Sequence, residues 1–247
     1  MTKIIGHRGA SAYEVENTIP AFSAALDQGA DGLELDVHFS ADGHIVVFHD
    51  FNLKSLTGDN GFIFEKTLEE LKSMACKSHG KTGVIPTLEE VLVLIVEFQK
   101  KSTKEILLNV EFKAGSDHYP GIEEKTLELC LKFLKIHQLI FSSFDHYALQ
   151  MLRNLSPELR LGILTASAIV DPWLYVDHLK ADFYHPHYLT LSDRELKRVR
   201  EHNLKVISYT VNDLETAKKL MAQGLYAIIT DMPDKMLALR ASESYKK

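Results

Sequence analysis

Three acidic side chains interrupt apolar runs of the sequence. Glu34 and Asp36 flank Leu35 in one run, and Glu111 lies near the end of another. Because side chains alternate along a strand, Glu34 and Asp36 should project from the same face. Unpaired buried carboxylates are costly, so something must neutralise them. A hard divalent cation, Mg²⁺ or Ca²⁺ with Mn²⁺ as a further candidate, suits these oxygen donors better than zinc does; ion pairs without a metal are the alternative.

Two histidines could supply acid/base chemistry beside these carboxylates. His7 ends the first apolar run of the chain. The dipeptide Asp42-Gly43 is a strong hairpin signal. If the turn is centred on these two residues, the two strands of the hairpin pair so that His49 lies opposite Asp36. The two imidazoles would then lie around one cation, with one available as base and the other as acid.

Basic and acidic side chains near His7 suggest that the site receives an anion. Arg8 offers a planar fork suited to a phosphate, and Lys113 adds a compact positive charge. Gly9 permits close approach of the backbone to a ligand. Glu16, on the loop after the first strand, could orient His7 or Arg8 and so support substrate binding.

Other polar residues at strand and helix ends have two interpretations. Asn17 or Thr18 could contribute to a site or simply cap the first helix. His185 and Tyr209 each end a predicted strand, which predicts that their side chains line a mouth and contact substrate.

The elements that must position these residues follow an alternating pattern. From residue 85 onward, short apolar runs alternate with amphipathic stretches, which is typical of repeated βα units. The predicted strands are 3–7, 31–36, 106–112, 138–143, 160–164, 181–185, 204–210 and 225–230, and a first helix spans about 19–28. Eight strands predict a closed (β/α)8 TIM barrel, in which the site lies at the C-terminal ends of the strands.

Helix boundaries are marked by familiar signals. Thr87 with Glu90 and Ser192 with Glu195 indicate capping boxes, and Asp171-Pro172 places a proline just inside a helix start. A further helix is predicted to be capped by Asn212 and to end at Gly224. His44–His49 is interpreted as a returning hairpin arm, and about 51–84 as an insertion after strand two with one helix near 67–76. Within the insertion, Phe51, Phe62 and Phe64 either form a small core or contact a ligand.

Composition restricts the class of protein. A chain of 247 residues matches one α/β barrel, so residues 1–247 are interpreted as a single domain. The net charge of −6 argues against nucleic acid as a partner and favours a small-molecule substrate. Cys76 and Cys130 form no Cys-x-x-Cys pair and are interpreted as inert thiols. Met1 leads directly into a strand, and no apolar run reaches the ~20 residues of a membrane span, which predicts a cytoplasmic protein.

The motifs, taken in order, resemble the signature series of the glycerophosphodiester phosphodiesterase family. They are His7-Arg8-Gly9, Glu16-Asn17-Thr18, Glu34-Leu35-Asp36, His49-Asp50, Glu111-Phe112-Lys113, Ser143-Phe144, Thr210-Val211-Asn212 and Thr230-Asp231. The resemblance implies that Glu34, Asp36 and Glu111 hold one divalent cation. It also implies that His7 and His49 act as acid and base. The residues that it implies contact phosphate are Arg8 and Lys113. Tyr209, where Trp is common, and Lys54, where Arg is common, depart from the family pattern.

The resemblance also implies a reaction. The expected products are sn-glycerol 3-phosphate and an alcohol, formed by attack of the glycerol 2-hydroxyl or a water at phosphorus. A lysophospholipase D-like activity on lysolipids would use nearly the same residues, with the three phenylalanines against an acyl chain. A catalytically silent phosphodiester-binding protein is the alternative from another class, although such a protein needs no acid/base pair.

Overall fold

The computed structural model describes residues 1–113 and 118–244. The strands are β1 Lys3–His7, β2 Gly32–Phe39, β3 Ile45–Val47, β4 Ala75–Ser78, β5 Lys81–Val84, β6 Leu107–Phe112, β7 Leu139–Ser143, β8 Leu161–Thr165, β9 Phe183–Pro186, β10 Ile207–Ser208 and β11 Ala227–Thr230. The helices are α1 Ile19–Asp27, α2 Lys54–Thr57, α3 Leu68–Ser73, α4 Leu88–Ser102, α5 Ile122–Phe133, α6 His146–Leu155, α7 Pro172–His178, α8 Asp193–Glu201, α9 Leu214–Ala222 and α10 Pro233–Ser244.

Eight parallel strands form the barrel. Their order is β10-β11-β1-β2-β6-β7-β8-β9, and isolated parallel bridges from Tyr184 to Val206 and from His187 to Tyr209 join β9 to β10. The predicted strand at 204–210 is therefore present, although only Ile207–Ser208 forms a continuous ladder. Helices lie between the strands along the chain, so the (β/α)8 fold predicted from the alternation is confirmed.

Strand alternation divides the apolar residues between two cores. One set of side chains packs between the strands and the helices, and includes Leu33, Leu35, Leu108 and Val110. A smaller set packs in a separate buried cluster: Ile5, Ile140, Phe183, Ile207, Ala227 and Ile229. Full burial of each isoleucine or phenylalanine side chain contributes about 1.5–3 kcal/mol. Because Glu34 alternates with Leu33 and Leu35, it projects away from the helix-facing core.

The hairpin formed by β2 and β3 differs by one residue from the predicted pairing. Phe39 pairs with Ile45, and the Phe48 N–H donates to the Asp36 carbonyl at 3.1 Å. Phe48 rather than His49 is therefore opposite Asp36. The turn has three residues instead of two, closed by Gly43 at φ +80°, and an odd loop shifts the register by one.

The helix caps are mostly those predicted. Thr87 and Glu90 form both bonds of a capping box, and α7 begins at Pro172. Ser192 accepts the Glu195 N–H at 3.2 Å, which is one of the two bonds of the predicted capping box. The predicted cap at Asn212 is wrong, because Asp213 accepts the Thr216 N–H at 2.7 Å and caps α9 instead.

The segment 51–84 folds as a small unit on the barrel. It contains α2, α3 and the antiparallel hairpin β4–β5, and its core includes Leu53, Ile63, Leu71 and Cys76. The predicted helix at 67–76 stops at Ser73. Three phenylalanines, for which a small core or ligand contact was predicted, pack outside this core in a cluster of stacked and edge-on rings with His118 and Tyr119: Phe51, Phe62 and Phe64. Within the described residues, every helix is too short or too polar to cross a bilayer.

Candidate active site

The three predicted carboxylates converge at one point. Register between β2 and β6 pairs Glu34 with Asn109 and Asp36 with Glu111, so the acidic side chains occupy neighbouring positions of the sheet. One oxygen from each of Glu34, Asp36 and Glu111 lies within 4.8 Å of the others. The Glu34 and Asp36 side chains are buried. The strands therefore bring three oxygen donors together as the sequence predicted.

Two basic side chains partly neutralise this cluster. Lys113 Nζ lies 2.6 Å from Asp36 Oδ1 and 2.7 Å from Glu111 Oε1. Arg8 Nε lies 3.5 Å from Asp36 Oδ2, and the Arg8 backbone N–H donates to Glu34 Oε2 at 2.9 Å. The ion pairs considered as an alternative to a metal are therefore present. Lys113, predicted to contact phosphate, is bonded to the carboxylates in this structure.

Three carboxylates face two basic side chains, and burial and charge shift the pKa values of the carboxyl groups. Burial would raise the pKa of Asp36, but the charges of Lys113 and Arg8 outweigh it and hold that pKa well below its usual range. Burial and then the charges of Asp36 and Glu111 raise the pKa of Glu34 well above normal. Burial likewise raises the pKa of Glu111 to about 7. Without a cation, the raised pKa values favour protonation of Glu34 and Glu111. A bound divalent cation would favour their charged forms, and the all-oxygen donor set fits one hard cation.

His7 is held by an aspartate from the last strand–helix loop. Its Nδ1 lies 2.6 Å from Asp231 Oδ1, and Ser11 donates to the same oxygen at 2.8 Å. The Asn212 amide donates to the other oxygen of Asp231. The Asn212 side-chain oxygen, which a cap would use, accepts instead from the Thr230 hydroxyl at 3.0 Å and the Asp231 N–H at 2.9 Å. With Nδ1 bonded to a carboxylate, Nε2 of His7 is the nitrogen left for chemistry.

His49 is oriented in the same way by its chain neighbour. Its Nδ1 lies 2.7 Å from Asp50 Oδ1, and Ser55 donates to Asp50 Oδ2 at 2.6 Å. Burial lowers the pKa of His49, and the charge of Asp36 partly opposes that shift. Both predicted acid/base residues are therefore imidazoles with one nitrogen fixed by a carboxylate and the other free for proton transfer.

Loss of the carboxylate behind His7 should reduce turnover. The Asp231→Asn variant keeps the shape of the side chain but removes the charge that fixes the ring, so we expect kcat to fall about 10- to 100-fold with KM nearly unchanged. Steady-state kinetics on a glycerophosphodiester would measure it. Asp234→Asn is the matched control, because Asp234 accepts from the exposed Tyr13 hydroxyl and not from His7. Equal kcat values for the wild type and Asp231→Asn would contradict the orienting role.

The loop after β1 brings Arg8 to the cluster. Arg8 Nη1 donates to Glu16 Oε1 at 2.8 Å. Of the two residues that Glu16 was predicted to orient, His7 or Arg8, it contacts Arg8. Thr18 caps α1, which frees the Asn17 amide to donate to Asp36 Oδ2 at 2.8 Å. Gly9 is required by helix packing: a Cβ there would lie 2.4 Å from the Ala21 carbonyl carbon.

The two residues predicted at the mouth have different surroundings. Tyr209 is half-buried, its hydroxyl donates to the Thr165 carbonyl at 2.9 Å, and its ring meets Phe144 edge-on. His185 is 0% exposed and does not reach solvent. Gly162 on the neighbouring strand leaves space that the ring occupies, since a Cβ at Gly162 would lie 2.3 Å from His185 Nε2. The expected mouth position of His185 is therefore wrong.

Burial of His185 predicts a pH effect on stability. Burial lowers its pKa to about 3, whereas the unfolded side chain titrates near 6.5, so the unfolded state binds more protons between these values. Stability should therefore fall as pH falls below about 6.5, with this group contributing up to about 1.4 kcal/mol per pH unit. Urea unfolding of wild type and His185→Leu at about pH 5 and about pH 7.5 would measure it. A slope unchanged by the substitution would contradict a neutral buried imidazole.

Several residues of the site escaped the sequence analysis. Asp231 appeared only in the Thr230-Asp231 motif, with no role of its own, and it bonds to His7 from 224 positions away in the chain. Ser11 and Ser55, which hold the two aspartates, carried no signal because isolated serines are common in loops. The adjacency of His49 and Asp50 was visible, but not that their side chains bond each other.

The fold and the site together define a class. Two carboxylate-bound imidazoles, a cluster of three carboxylates and two basic side chains lie at the C-terminal ends of parallel barrel strands, where barrel enzymes place their active sites. The glycerophosphoryl diester phosphodiesterase family model matches residues 7–235. The chain therefore belongs to the glycerophosphoryl diester phosphodiesterase family and is an enzyme.

Individual relatives agree over nearly the whole chain. A glycerophosphodiester phosphodiesterase of Caldanaerobacter subterraneus is 36% identical over 96% of this chain and 97% of its own length. Another of that name from Bacillus altitudinis is 37% identical over 97% of this chain and 98% of its own. Among solved structures, an Oleispira antarctica phosphodiesterase in complex with the product sn-glycerol-3-phosphate has a TM-score of 0.87 and 29% identity, covering 98% of this chain and 97% of that one.

Proposed function

We propose that the chain hydrolyses glycerophosphodiesters to sn-glycerol 3-phosphate and an alcohol, using a divalent cation and two histidines. The observation that carries this proposal is the pair of imidazoles, each bonded through Nδ1 to an aspartate, beside three clustered carboxylates. The relative solved with sn-glycerol-3-phosphate supports the choice of substrate class. The physiological setting we propose is cytoplasmic lipid and glycerol metabolism.

The histidines divide the proton transfers. One of His7 and His49 takes a proton from the nucleophile, which is the glycerol 2-hydroxyl or a water, and the other protonates the departing alcohol. Attack by water gives sn-glycerol 3-phosphate directly. Attack by the 2-hydroxyl gives a cyclic phosphate, which a water then opens to sn-glycerol 3-phosphate as the two histidines exchange roles. Asp231 and Asp50 stabilise the imidazolium that forms in each case. Because both dyads have the same design, either histidine is equipped for either step.

The remaining side chains bind and orient the phosphodiester. Glu34, Asp36 and Glu111 would hold the cation, Mg²⁺ or Ca²⁺ or Mn²⁺, which when bound supplies charge stabilisation and an anchor for substrate oxygens. Arg8 is directed by Glu16 and would contact a phosphate oxygen through its fork. Lys113 bridges two carboxylates and would add positive charge for the same phosphate.

The leaving alcohol should be weakly specified. The proposed contacts grip glycerol and phosphate, so we expect glycerophosphocholine, glycerophosphoethanolamine and other head groups all to be hydrolysed. Parallel assays with detection of glycerol 3-phosphate would measure this, with bis(p-nitrophenyl) phosphate as the comparison that lacks glycerol. If bis(p-nitrophenyl) phosphate were cleaved far faster than every glycerophosphodiester, the proposed glycerol recognition would be wrong.

Two alternatives remain as outcomes of the same assays. Lysolipid hydrolysis would use the aromatic cluster formed by Phe51, Phe62 and Phe64, of which Phe62 is 41% exposed. Faster turnover of lysophosphatidylcholine than of glycerophosphocholine would favour it. A silent phosphodiester-binding protein would show no turnover with any cation, and the two histidine–aspartate pairs speak against it.

A further inference from the structure

A third imidazole lies behind the site, where the proposed acid/base chemistry does not use it. His38 follows Asp36 by two residues on β2, so both side chains project from the same face, and His38 is 0% exposed. Its Nδ1 lies 2.7 Å from the Tyr119 hydroxyl, and its Nε2 lies 3.2 Å from the backbone oxygen of His49. Both ring nitrogens are therefore satisfied in the buried position.

The partners fix the direction of both hydrogen bonds. A carbonyl oxygen only accepts, so Nε2 of His38 carries the proton and donates to His49. The ring is fully buried and both of its nitrogens are bonded to neutral groups, a hydroxyl and a carbonyl, so the neutral form with Nδ1 as an acceptor fits this position. The Tyr119 hydroxyl must then donate to it. The chain of bonds runs from Tyr119 through His38 to the His49 backbone.

This chain of bonds acts where the hairpin ladder has ended. β3 stops at Val47, and the Phe48 N–H still reaches β2 through the Asp36 carbonyl at 3.1 Å. His49 is the next residue, and its carbonyl is tied to β2 by His38.

Aromatic packing holds the donor ring in place. The ring of Phe51 meets His38 edge-on at 5.1 Å, and Tyr119 meets it edge-on at 5.5 Å. A ring enclosed on two sides and bonded at both nitrogens has little freedom to rotate.

We infer that His38, together with Tyr119, is a positioning residue that sets the backbone of His49 so that the His49 imidazole is aligned for proton transfer. The inference rests on the proposed acid/base role of His49. A catalytic group displaced by about 1 Å can lose about 10²-fold in rate, so one backbone hydrogen bond at this position has a large effect. His38 itself transfers no proton to substrate.

Substitutions at His38 test the inference first. His38→Leu keeps the volume but removes both bonds, and we expect kcat to fall about 10- to 100-fold, with KM and cation affinity unchanged. His38→Gln can donate to His49 and accept from Tyr119, and should restore most of kcat. Tyr119→Phe keeps the stacked ring and should cost about 3- to 10-fold, the value of one hydrogen bond. The same kcat for His38→Leu and His38→Gln would overturn the inference, and His38→Gln with Tyr119→Phe carry the test if His38→Leu fails to fold.

A double-mutant cycle separates positioning from general destabilisation. In the His49→Gln background, His38→Leu should no longer change kcat, because the group that it positions is gone. A loss of the same size in both backgrounds would overturn the inference while leaving the acid/base role of His49 intact. If His49→Gln alone left kcat unchanged, the proposed function would fail, and this inference with it. Leu149→Ala, a buried change on α6, is the control that should lower the melting temperature but not kcat.

Discussion

Replacing either His7 or His49 with Gln is expected to lower kcat on a glycerophosphodiester by about 10²- to 10⁴-fold, the usual contribution of a general acid or base. Each ring is fixed through Nδ1 to an aspartate, at 2.6 Å for His7 and 2.7 Å for His49, so each is prepared for one proton transfer. The double variant should be only slightly worse than the more damaged single one, because groups that work as a unit are strongly non-additive. Steady-state and single-turnover kinetics would measure all three variants.

Fold and cation affinity should survive these substitutions, since neither imidazole is proposed as a ligand. His137→Gln is a matched control, because His137 also contacts a carboxylate, that of Glu105 at 3.2 Å, but lies 57% exposed outside the site. Its kcat should equal that of the wild type. If a substitution at His7 or His49 removed cation binding along with activity, that histidine would be a ligand and the proposed division of roles would fail.

Removing divalent cations is expected to abolish turnover, and adding Mg²⁺, Ca²⁺ or Mn²⁺ should restore it. Three carboxylates face only two basic side chains, and burial raises the pKa values of Glu34 and Glu111, so a divalent cation would stabilise their charged forms. Cation binding should also stabilise the native state, by about 2.7 kcal/mol at 100 times the dissociation constant. Chelation and re-addition, followed by activity and by thermal unfolding, would measure both effects.

Two Glu→Gln substitutions, one inside the carboxylate cluster and one outside it, test whether the cluster binds the cation. Glu34→Gln should lose the cation-dependent rise in melting temperature together with activity, because it removes one of the three oxygen ligands. Glu123→Gln alters a carboxylate that is also buried, with its pKa raised by burial, but that belongs to α5 and not to the cluster. It should respond to cations as the wild type does. Full activity after exhaustive chelation would reject the metal site.

Local pattern was enough to predict the architecture. The alternation of apolar runs with capped amphipathic stretches predicted eight barrel strands, and period-two alternation placed Glu34 and Asp36 on one face. Parallel strands then bring Glu111 beside Asp36, because neighbouring strands of a barrel end at the same edge. Each of these features is determined by a short stretch of sequence, so each can be predicted without knowing the rest of the fold.

Long-range and subtle geometric features could not be predicted in this way. The bond between His7 and Asp231 joins the two ends of the chain, and no local signal predicts which of several strand-ending residues reaches a given ring. The hairpin register shifted because Asp42-Gly43 is consistent with loops of two or three residues. The burial of His185 depends on Gly162 of a neighbouring strand, because a side chain at that position would occupy the space of the His185 ring.

The central claim is that a cation held at this triad supports hydrolysis to sn-glycerol 3-phosphate. Phosphorus NMR of the wild type with glycerophosphocholine, in chelated buffer and after addition of Mg²⁺, Ca²⁺ or Mn²⁺, tests it most directly. We predict conversion to sn-glycerol 3-phosphate, with no phosphocholine, only when a cation is present. Phosphocholine as the product, turnover that persists in exhaustively chelated buffer, or no turnover with any of the three cations would contradict the claim.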